Sequence, residues 1–140
     1  MNKKFFHTIK VFYEDTDVGG IVYYANYLKY IERARTEALS EVGWSNTKIS
    51  SEFKNIIVVK SCNIVYKKPA FLEDILKIES FINTKSKTSL NMSQIIYKND
   101  DLIAEAKIHL VFVNLKGKPV KIPEKIQIAL KPYVSSISTK

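Results

Sequence analysis

Cysteine is nearly absent from this chain. The single residue, Cys62, excludes a disulfide framework and any zinc site built on several thiolates. Histidine is almost as scarce. His7 and His109 stand far apart with no ligand-like spacing around them, which argues against a metal enzyme. Long apolar runs are missing too: stretches such as Ile56-Ile57-Val58-Val59 stop after a few residues, far from the roughly 20 that a membrane helix needs. The basic start, Met1-Asn2-Lys3-Lys4, leads into no apolar segment and no small-residue cleavage motif. With one unpaired cysteine, this predicts a cytoplasmic protein with no membrane insertion. No internal repeat and no linker interrupts the text.

What remains is a globular composition with a marked charge. The 140 residues fit one domain, and 46% hydrophobic with 26% charged residues rules out wholesale disorder. A chain of this size hides roughly two-thirds of its unfolded surface, enough for a core without covalent staples. The formal net charge is +8. Such a balance suits a nucleic-acid backbone, a small phosphorylated molecule, or simply a lysine-rich solvated surface. No nucleic-acid-reading motif accompanies the lysines, which are scattered along the chain. Nucleic acid is therefore not the expected partner.

Periodicity divides the chain in two. Thr8–Tyr13 alternates as a short strand. Tyr27, Ile31, Ala34, Ala38 and Val42 then fall four and three apart, one apolar stripe of a long helix. Glu32–Arg35 and Arg33–Glu37 are spaced to pair along its flank, and Gly43 suits a left-handed cap. A short second helix is predicted over Ser45–Phe53. From Ile56 the period changes to two. Strands are predicted over Ile56–Tyr66, Ile75–Asn83, Leu90–Tyr97 and Ile103–Leu115, the first ended by Pro69 and the third and fourth joined through Asn99-Asp100-Asp101. Pro123–Leu130 reads as a short last helix, with Pro123 at its start. One domain over 1–134 with a frayed tail over 135–140 is expected. A strand, a long helix and four further strands define an α+β domain with an antiparallel sheet. A sheet with one long helix leaves an edge uncovered, so a second copy is expected.

The densest chemical signal is the loop Tyr13-Glu14-Asp15-Thr16-Asp17-Val18-Gly19-Gly20, which runs into Ile21-Val22-Tyr23-Tyr24-Ala25-Asn26-Tyr27. Three acids in four positions repel one another. One reading is an acidic turn in which Asp15 or Asp17 caps the helix that follows. The other is a carboxylate held beside an N–H-rich helix start, where the same dipole polarises an electrophilic carbonyl.

This string, followed by Glu32-Arg33-Ala34-Arg35, resembles the Tol–Pal-associated (YbgC-type) acyl-CoA thioesterases of the 4-hydroxybenzoyl-CoA thioesterase group. The resemblance covers nearly the whole chain. It implies a hotdog fold, a long central helix wrapped by a five-stranded antiparallel sheet, and hydrolysis of an acyl-CoA thioester to free acid and coenzyme A. It implies neither a metal nor a separate cofactor, since coenzyme A is part of the substrate. By position, the family's catalytic carboxylate falls on Asp17, as nucleophile or as general base for water. Tyr13 matches the family's tyrosine near the site. Position 24 departs from the commoner YbgC-type pattern, which has histidine there. Tyr24 resembles instead the 4-hydroxybenzoyl-CoA enzymes, in which the backbone N–H at this point polarises the thioester oxygen. Lys85 and Lys87 occupy the turn where related enzymes hold the nucleotide end of the coenzyme, with Lys60, Lys67 and Lys68 as alternatives. The resemblance further implies sites between subunits of a homodimer, or of a tetramer made of two dimers.

Two other readings of the site compete. A non-catalytic hotdog module would bind acyl groups or an acyl carrier protein. A hotdog dehydratase resembles sites of histidine plus acid, and no histidine falls in this loop. Cys62, inside a β-branched run with no base nearby, reads as a small core residue, and neither His7 nor His109 is expected to be catalytic.

Overall fold

The computed structural model describes residues 2–135. Strand β1 (Phe5–Lys10) leads through a 3₁₀ turn (Tyr13–Asp15) to α1 (Asn26–Glu41) and α2 (Asn46–Phe53). The strands β2 (Asn55–Tyr66), β3 (Ile75–Lys85), β4 (Ser89–Lys98) and β5 (Asp101–Asn114) follow, and α3 (Glu124–Leu130) closes the described chain. The five strands form one antiparallel sheet in the order β1-β3-β4-β5-β2. This is the α+β hotdog arrangement, with the sheet curved over α1.

The helix stripe does what its spacing demands. Tyr27, Ile31, Ala34 and Ala38 are buried, facing Leu76, Ile78, Ile96, Ile108 and Phe112 of the sheet within one apolar cluster. Alanine at 34 and 38 leaves room for the helix to lie close, and each large aliphatic partner contributes about 1.5–3 kcal/mol when buried. Gly43, at φ +88°, ends α1. Its N–H reaches the Ser40 carbonyl while the Trp44 N–H reaches that of Leu39, the paired pattern of a left-handed cap. The Ser45 hydroxyl accepts the Lys48 N–H at 3.0 Å and starts α2. Asn99, at φ +55°, turns the β4–β5 hairpin.

Four expectations need correction. Strand β1 begins and ends earlier than Thr8–Tyr13, because Phe5–Lys10 pairs with Ser80–Ile75. Beyond it the Asp15 carboxylate accepts the Phe12 N–H at 2.9 Å and pulls the chain into a turn. The helix-flank pairs do not close among the described residues. Glu32 instead accepts the Thr36 hydroxyl at 2.7 Å, and Arg35 reaches across to Gln94 at 2.9 Å. Cys62 is not a core residue: it lies exposed on β2, the edge strand. Burial nonetheless pushes its thiol pKa up, with Arg35 opposing. Pro123 is the residue before the first turn of α3 rather than within it. The tail expected over 135–140 lies outside the described residues from position 136 onward.

One polar group lies at the centre of the core. Gln94 is fully buried and satisfied on both sides: its amide donates to the Ile31 carbonyl and the Ser80 hydroxyl, and its oxygen accepts from Arg35. The network ties the middle of α1 to β3 and β4 at little net cost, because no buried partner is left unpaired.

Candidate active site

The loop between β1 and α1 is held by its backbone. Asp17 and Ile21 close a tight turn: the Asp17 N–H donates to the Ile21 carbonyl at 2.9 Å, and the Gly20 N–H to the Asp17 carbonyl at 3.0 Å. Gly20 adopts φ +78° there, which L side chains resist. The Gly19 N–H donates to Asp17 Oδ1 at 2.9 Å. A side chain at Gly19 would press to 3.3 Å from that oxygen. The glycine pair therefore lets the backbone approach the carboxylate closely. Asp17 itself stands exposed at the tip, with one oxygen pinned and the other free of protein donors among the described residues.

Asp15 anchors what Asp17 presents. It is buried, and its carbonyl accepts both the Tyr23 N–H at 3.0 Å and the Asn26 side-chain amide at 2.8 Å. These bonds strap the acidic turn to the first residues of α1. Beneath them lies Tyr30, whose hydroxyl is buried close to the Asp15 carboxylate and, among the described residues, makes no hydrogen bond of ordinary geometry. Burial first, and the Asp15 carboxylate second, push that phenol well above its ordinary pKa.

Just before the helix the N–H groups of Tyr24 and of the N-cap Ala25 have no acceptor among the described residues, whereas Asn26, Tyr27 and Leu28 donate back to Tyr23, Tyr24 and Ala25. A free N–H at a helix N-terminus is a ready donor to developing negative charge. The Tyr24 ring is 61% exposed and lies beside Tyr23 and Tyr66, and the Tyr66 hydroxyl reaches the Tyr24 carbonyl at 3.4 Å. The structure thus brings Asp17 and the Tyr24 backbone into one strapped segment. Tyr13 belongs to the same loop, but its ring is 81% exposed and its hydrogen bonds run through its carbonyl, to the Thr16 N–H and hydroxyl.

Lys85 and Lys87 lie elsewhere. They flank the β3–β4 turn, whereas the Asp17 loop meets the other end of β3, where the Val11 N–H donates to the Asp74 carbonyl. At about 3.3 Å per strand residue, the length of β3 separates them by some 30 Å within one chain. The Lys85 ammonium donates to Gln127 of α3 at 2.9 Å, and Lys87 is exposed. Of the alternatives, Lys67 and Lys68 lie at the loop's own end, where Lys68 pairs with Asp101 at 3.1 Å. Lys60 falls at the irregularity in β2 between Val59 and Ser61.

Sequence reasoning missed Asn26 and Tyr30. Their only signal was polarity at the start of an apolar helical stripe, and which backbone group Asn26 would reach is set by the loop's path. Among the described residues no cluster of histidine, cysteine and carboxylates could hold a metal ion.

A sheet wrapped on one long helix, entered through a glycine-hinged carboxylate turn, defines a hotdog protein of the thioesterase class. Comparison with known proteins agrees. The chain belongs to the thioesterase-like superfamily, whose family model matches residues 11–130. It is 38% identical over 125 residues to the acyl-CoA thioester hydrolase YbgC of Escherichia coli, covering 88% of this chain and 92% of that protein. It is 33% identical over 130 residues to the acyl-CoA thioesterase YbgC of Haemophilus influenzae, covering 92% and 96%. Among solved structures, a probable thioesterase from Bartonella henselae superposes with a TM-score of 0.83 at 30% identity, covering 86% of this chain and all of that one. Slr0204, a 1,4-dihydroxy-2-naphthoyl-CoA thioesterase from Synechocystis, gives 0.85 at 25% identity, covering 92% and 96%.

Proposed function

We propose that this chain hydrolyses acyl-CoA thioesters, with Asp17 acting on the carbonyl carbon and the Tyr24 N–H receiving the charge that builds on the oxygen. The superfamily and its curated relatives make the protein a thioester hydrolase; the residue roles are the present reading. The observation that carries them is the strap from Asp15 to Tyr23 and Asn26, which joins a free carboxylate and a free helix N–H in one segment. A thioester is already activated, so a carboxylate without a histidine partner suffices. Asp17 attacks the carbonyl, or draws a proton from water that does; the thiolate of coenzyme A leaves, and water supplies the second oxygen of the acid. Pre-set N–H donors at the oxyanion are worth several kcal/mol in such acyl transfers.

Charge distribution supports a site completed by a second copy. Glu14, Asp15, Asp17, Asp74, Asp100 and Asp101 lie at the loop's end of the sheet, where Lys98 pairs with Asp74 and Lys68 with Asp101. The opposite end holds Lys85, Lys87, Lys116, Lys118, Lys121 and Lys125, none paired with a carboxylate among the described residues. Strand β2 is a twelve-residue edge exposing Ile56, Val58, Val59, Val65 and Tyr66, a surface that invites strand pairing. Antiparallel pairing of two β2 edges would set the lysine end of one protomer beside the Asp17 loop of its partner. The phosphates of coenzyme A would then meet Lys85 and Lys87 across the interface. We read the assembly as a homodimer able to pair again into a tetramer, the domain as spanning 1–134, and the compartment as the cytoplasm. No helix among the described residues is long and apolar enough to cross a membrane.

A panel of acyl-CoAs with detection of the released thiol tests the activity, and Asp17→Asn tests the site. Release of thiol by the wild type, and its loss in the variant with an unchanged melting temperature, is the expected result. A non-catalytic acyl-binding module would release none.

A further inference from the structure

The Asp17 turn belongs to a small sheet of its own. Thr16 and Val22 face each other in an antiparallel bridge, with residues 17–20 as the tip between them. The returning arm pairs on its other side with the loop between β2 and β3. The Val22 N–H donates to the Ala70 carbonyl at 2.8 Å, and the Leu72 N–H to the Gly20 carbonyl at 3.1 Å. Between these bonds Ile21 and Phe71 form a second antiparallel bridge. Residues 70–72 are therefore a ledge along which the carboxylate turn lies. Ala70 is fully buried, and the Tyr27 hydroxyl, from the first turn of α1, lies beside its backbone.

One side chain fixes that ledge. Asp74, just ahead of β3, accepts the Phe71 N–H through Oδ2 at 2.8 Å and the Lys98 ammonium through Oδ1 at 2.9 Å. Its own N–H returns to the Phe71 carbonyl at 3.0 Å, and its carbonyl accepts the Val11 N–H at 2.9 Å. Glu73 adopts φ +69° within this turn, a left-handed conformation that side chains resist. The Asp74 side chain is only 12% exposed, so the two charge-assisted bonds to its carboxylate are poorly screened. Lys98 ends β4, which ties the ledge to the main sheet. A line of bonds thus runs from Lys98 through Asp74 and Phe71 to Ile21 and the Asp17 turn. It shares no residue with the strap that joins Asp15 to Tyr23 and Asn26.

We propose that Asp74, oriented by Lys98, is a positioning residue for Asp17. By holding the Phe71 N–H it keeps the ledge, and with it the carboxylate, in fixed relation to the Tyr24 N–H. Its effect on rate rests on the thioesterase reading above; its effect on the turn does not. The Asp17 carboxylate bonds only to the Gly19 N–H among the described residues, so its position is that of its turn. Asp15 holds the two feet of that turn through Phe12 and Tyr23, whereas the ledge holds the returning arm. Without the bond from Phe71 the ledge is free to shift. A carboxylate displaced by about an ångström from its attack geometry loses on the order of a hundredfold in rate. A residue that merely closed the β2–β3 loop would lower stability and leave the kcat of folded molecules alone.

Asp74→Ala, Asp74→Asn and Lys98→Met, assayed on a panel of acyl-CoAs and by hydrogen exchange, test this. Asp74→Ala should lower kcat about tenfold or more with KM within about threefold of wild type. Asp74→Asn, whose amide oxygen still accepts from Phe71, should bring kcat back to within about threefold. Hydrogen exchange read by mass spectrometry should quicken about tenfold or more over residues 16–22 of Asp74→Ala, while β4 and β5 keep their protection. An unchanged kcat in folded Asp74→Ala, an asparagine variant no better than the alanine one, or exchange that rises equally throughout the chain overturns the proposal. If Asp74→Ala loses its melting transition, Lys98→Met carries the test. It must lower kcat at constant KM and loosen residues 16–22, and no change in either overturns the idea. Faster exchange confined to the turn, with a wild type that cleaves no thioester, supports the ledge and fails only the hydrolase reading. A wild type that cleaves acyl-CoAs, with kcat and turn exchange both unmoved in Asp74→Ala, overturns the ledge and leaves the hydrolase reading standing.

Discussion

The two ends of the sheet are built on different principles. The acidic end is organised by short backbone bonds: Asp15, Asp17, Gly20, Tyr23 and Asn26 form a loop strapped to the start of α1. The lysine end carries long side chains on a turn and a short helix, with Lys85 resting on Gln127 and Lys87 free in solvent. Position matters at the first end and charge at the second. Chemistry that needs a carboxylate and an N–H in fixed relation belongs to the strapped end, because small misplacements cost large factors in rate. In the proposed function the lysine end would attract the coenzyme phosphates, an interaction that tolerates flexible partners and is weakened by salt.

The sharpest way to break this contrast is Asp17→Asn. The amide keeps the size of the side chain and its bond from Gly19 but removes the charge. We expect kcat to fall at least tenfold, about 1.4 kcal/mol of barrier or more, with the melting temperature unchanged; a residual rate above a tenth of wild type rejects the assignment.

Asn26→Ala probes the strap rather than the charge. Loss of the bond to the Asp15 carbonyl should lower kcat about tenfold with KM nearly constant, and cost roughly 1–3 kcal/mol of stability as measured by urea unfolding. A matched fall in stability with unaltered kcat would make the strap purely structural.

At the lysine end, the double variant Lys85→Ala with Lys87→Ala should raise KM for acyl-CoA several-fold and flatten its salt dependence. The kcat should stay nearly unchanged, as uniform binding of a remote group predicts. An unchanged KM would move phosphate binding to Lys60, Lys67 or Lys68. Light scattering adds a check on the pairing of the two ends, since fully active monomers would be incompatible with a shared site.

Two tyrosine changes should have the smallest effects. Tyr24→Phe keeps the backbone N–H, so kcat should stay within a few-fold; a hundredfold loss would show that the phenol acts. Tyr30→Phe addresses pH. Its phenol is raised above the ordinary value in the folded protein by burial and by Asp15, so the folded state holds that proton more tightly than the unfolded one. Its contribution to stability is complete below about pH 10 and is lost as pH rises towards the folded value. Denaturant midpoints above pH 10 should therefore fall less steeply in Tyr30→Phe than in the wild type.

Much of the architecture could be read before any coordinates. The stripe Tyr27-Ile31-Ala34-Ala38 located the long helix, Gly43 its end, and four alternating runs the remaining strands. Local rules act within a few residues and leave their mark directly in spacing. Strand β1 was misplaced for the same reason in reverse. Residues 8–13 alternate as well as residues 5–10, and only pairing with β3 and the pull of Asp15 on Phe12 decide between them. Cys62 looked interior because its neighbours are β-branched, but the strand that carries it is the sheet's edge, and strand order is not written in periodicity.

The candidate site divides along the same line. Family resemblance placed Asp17 and Tyr24, and the glycine pair announced a tight turn. That Asp15 works through its carbonyl as well as its carboxylate, and that Asn26 and Tyr30 gather around it, follows from the loop folding back on the helix start. The sequence by itself determined the helix, the two periods, the acidic loop and the excess of lysine, because each depends on residues close together in the chain. Tertiary structure alone decided the strand order and the distance of Lys85 and Lys87 from the Asp17 loop at the other end of the sheet. Those depend on which distant segments pack together, a choice made by burying one common apolar face rather than by any local preference.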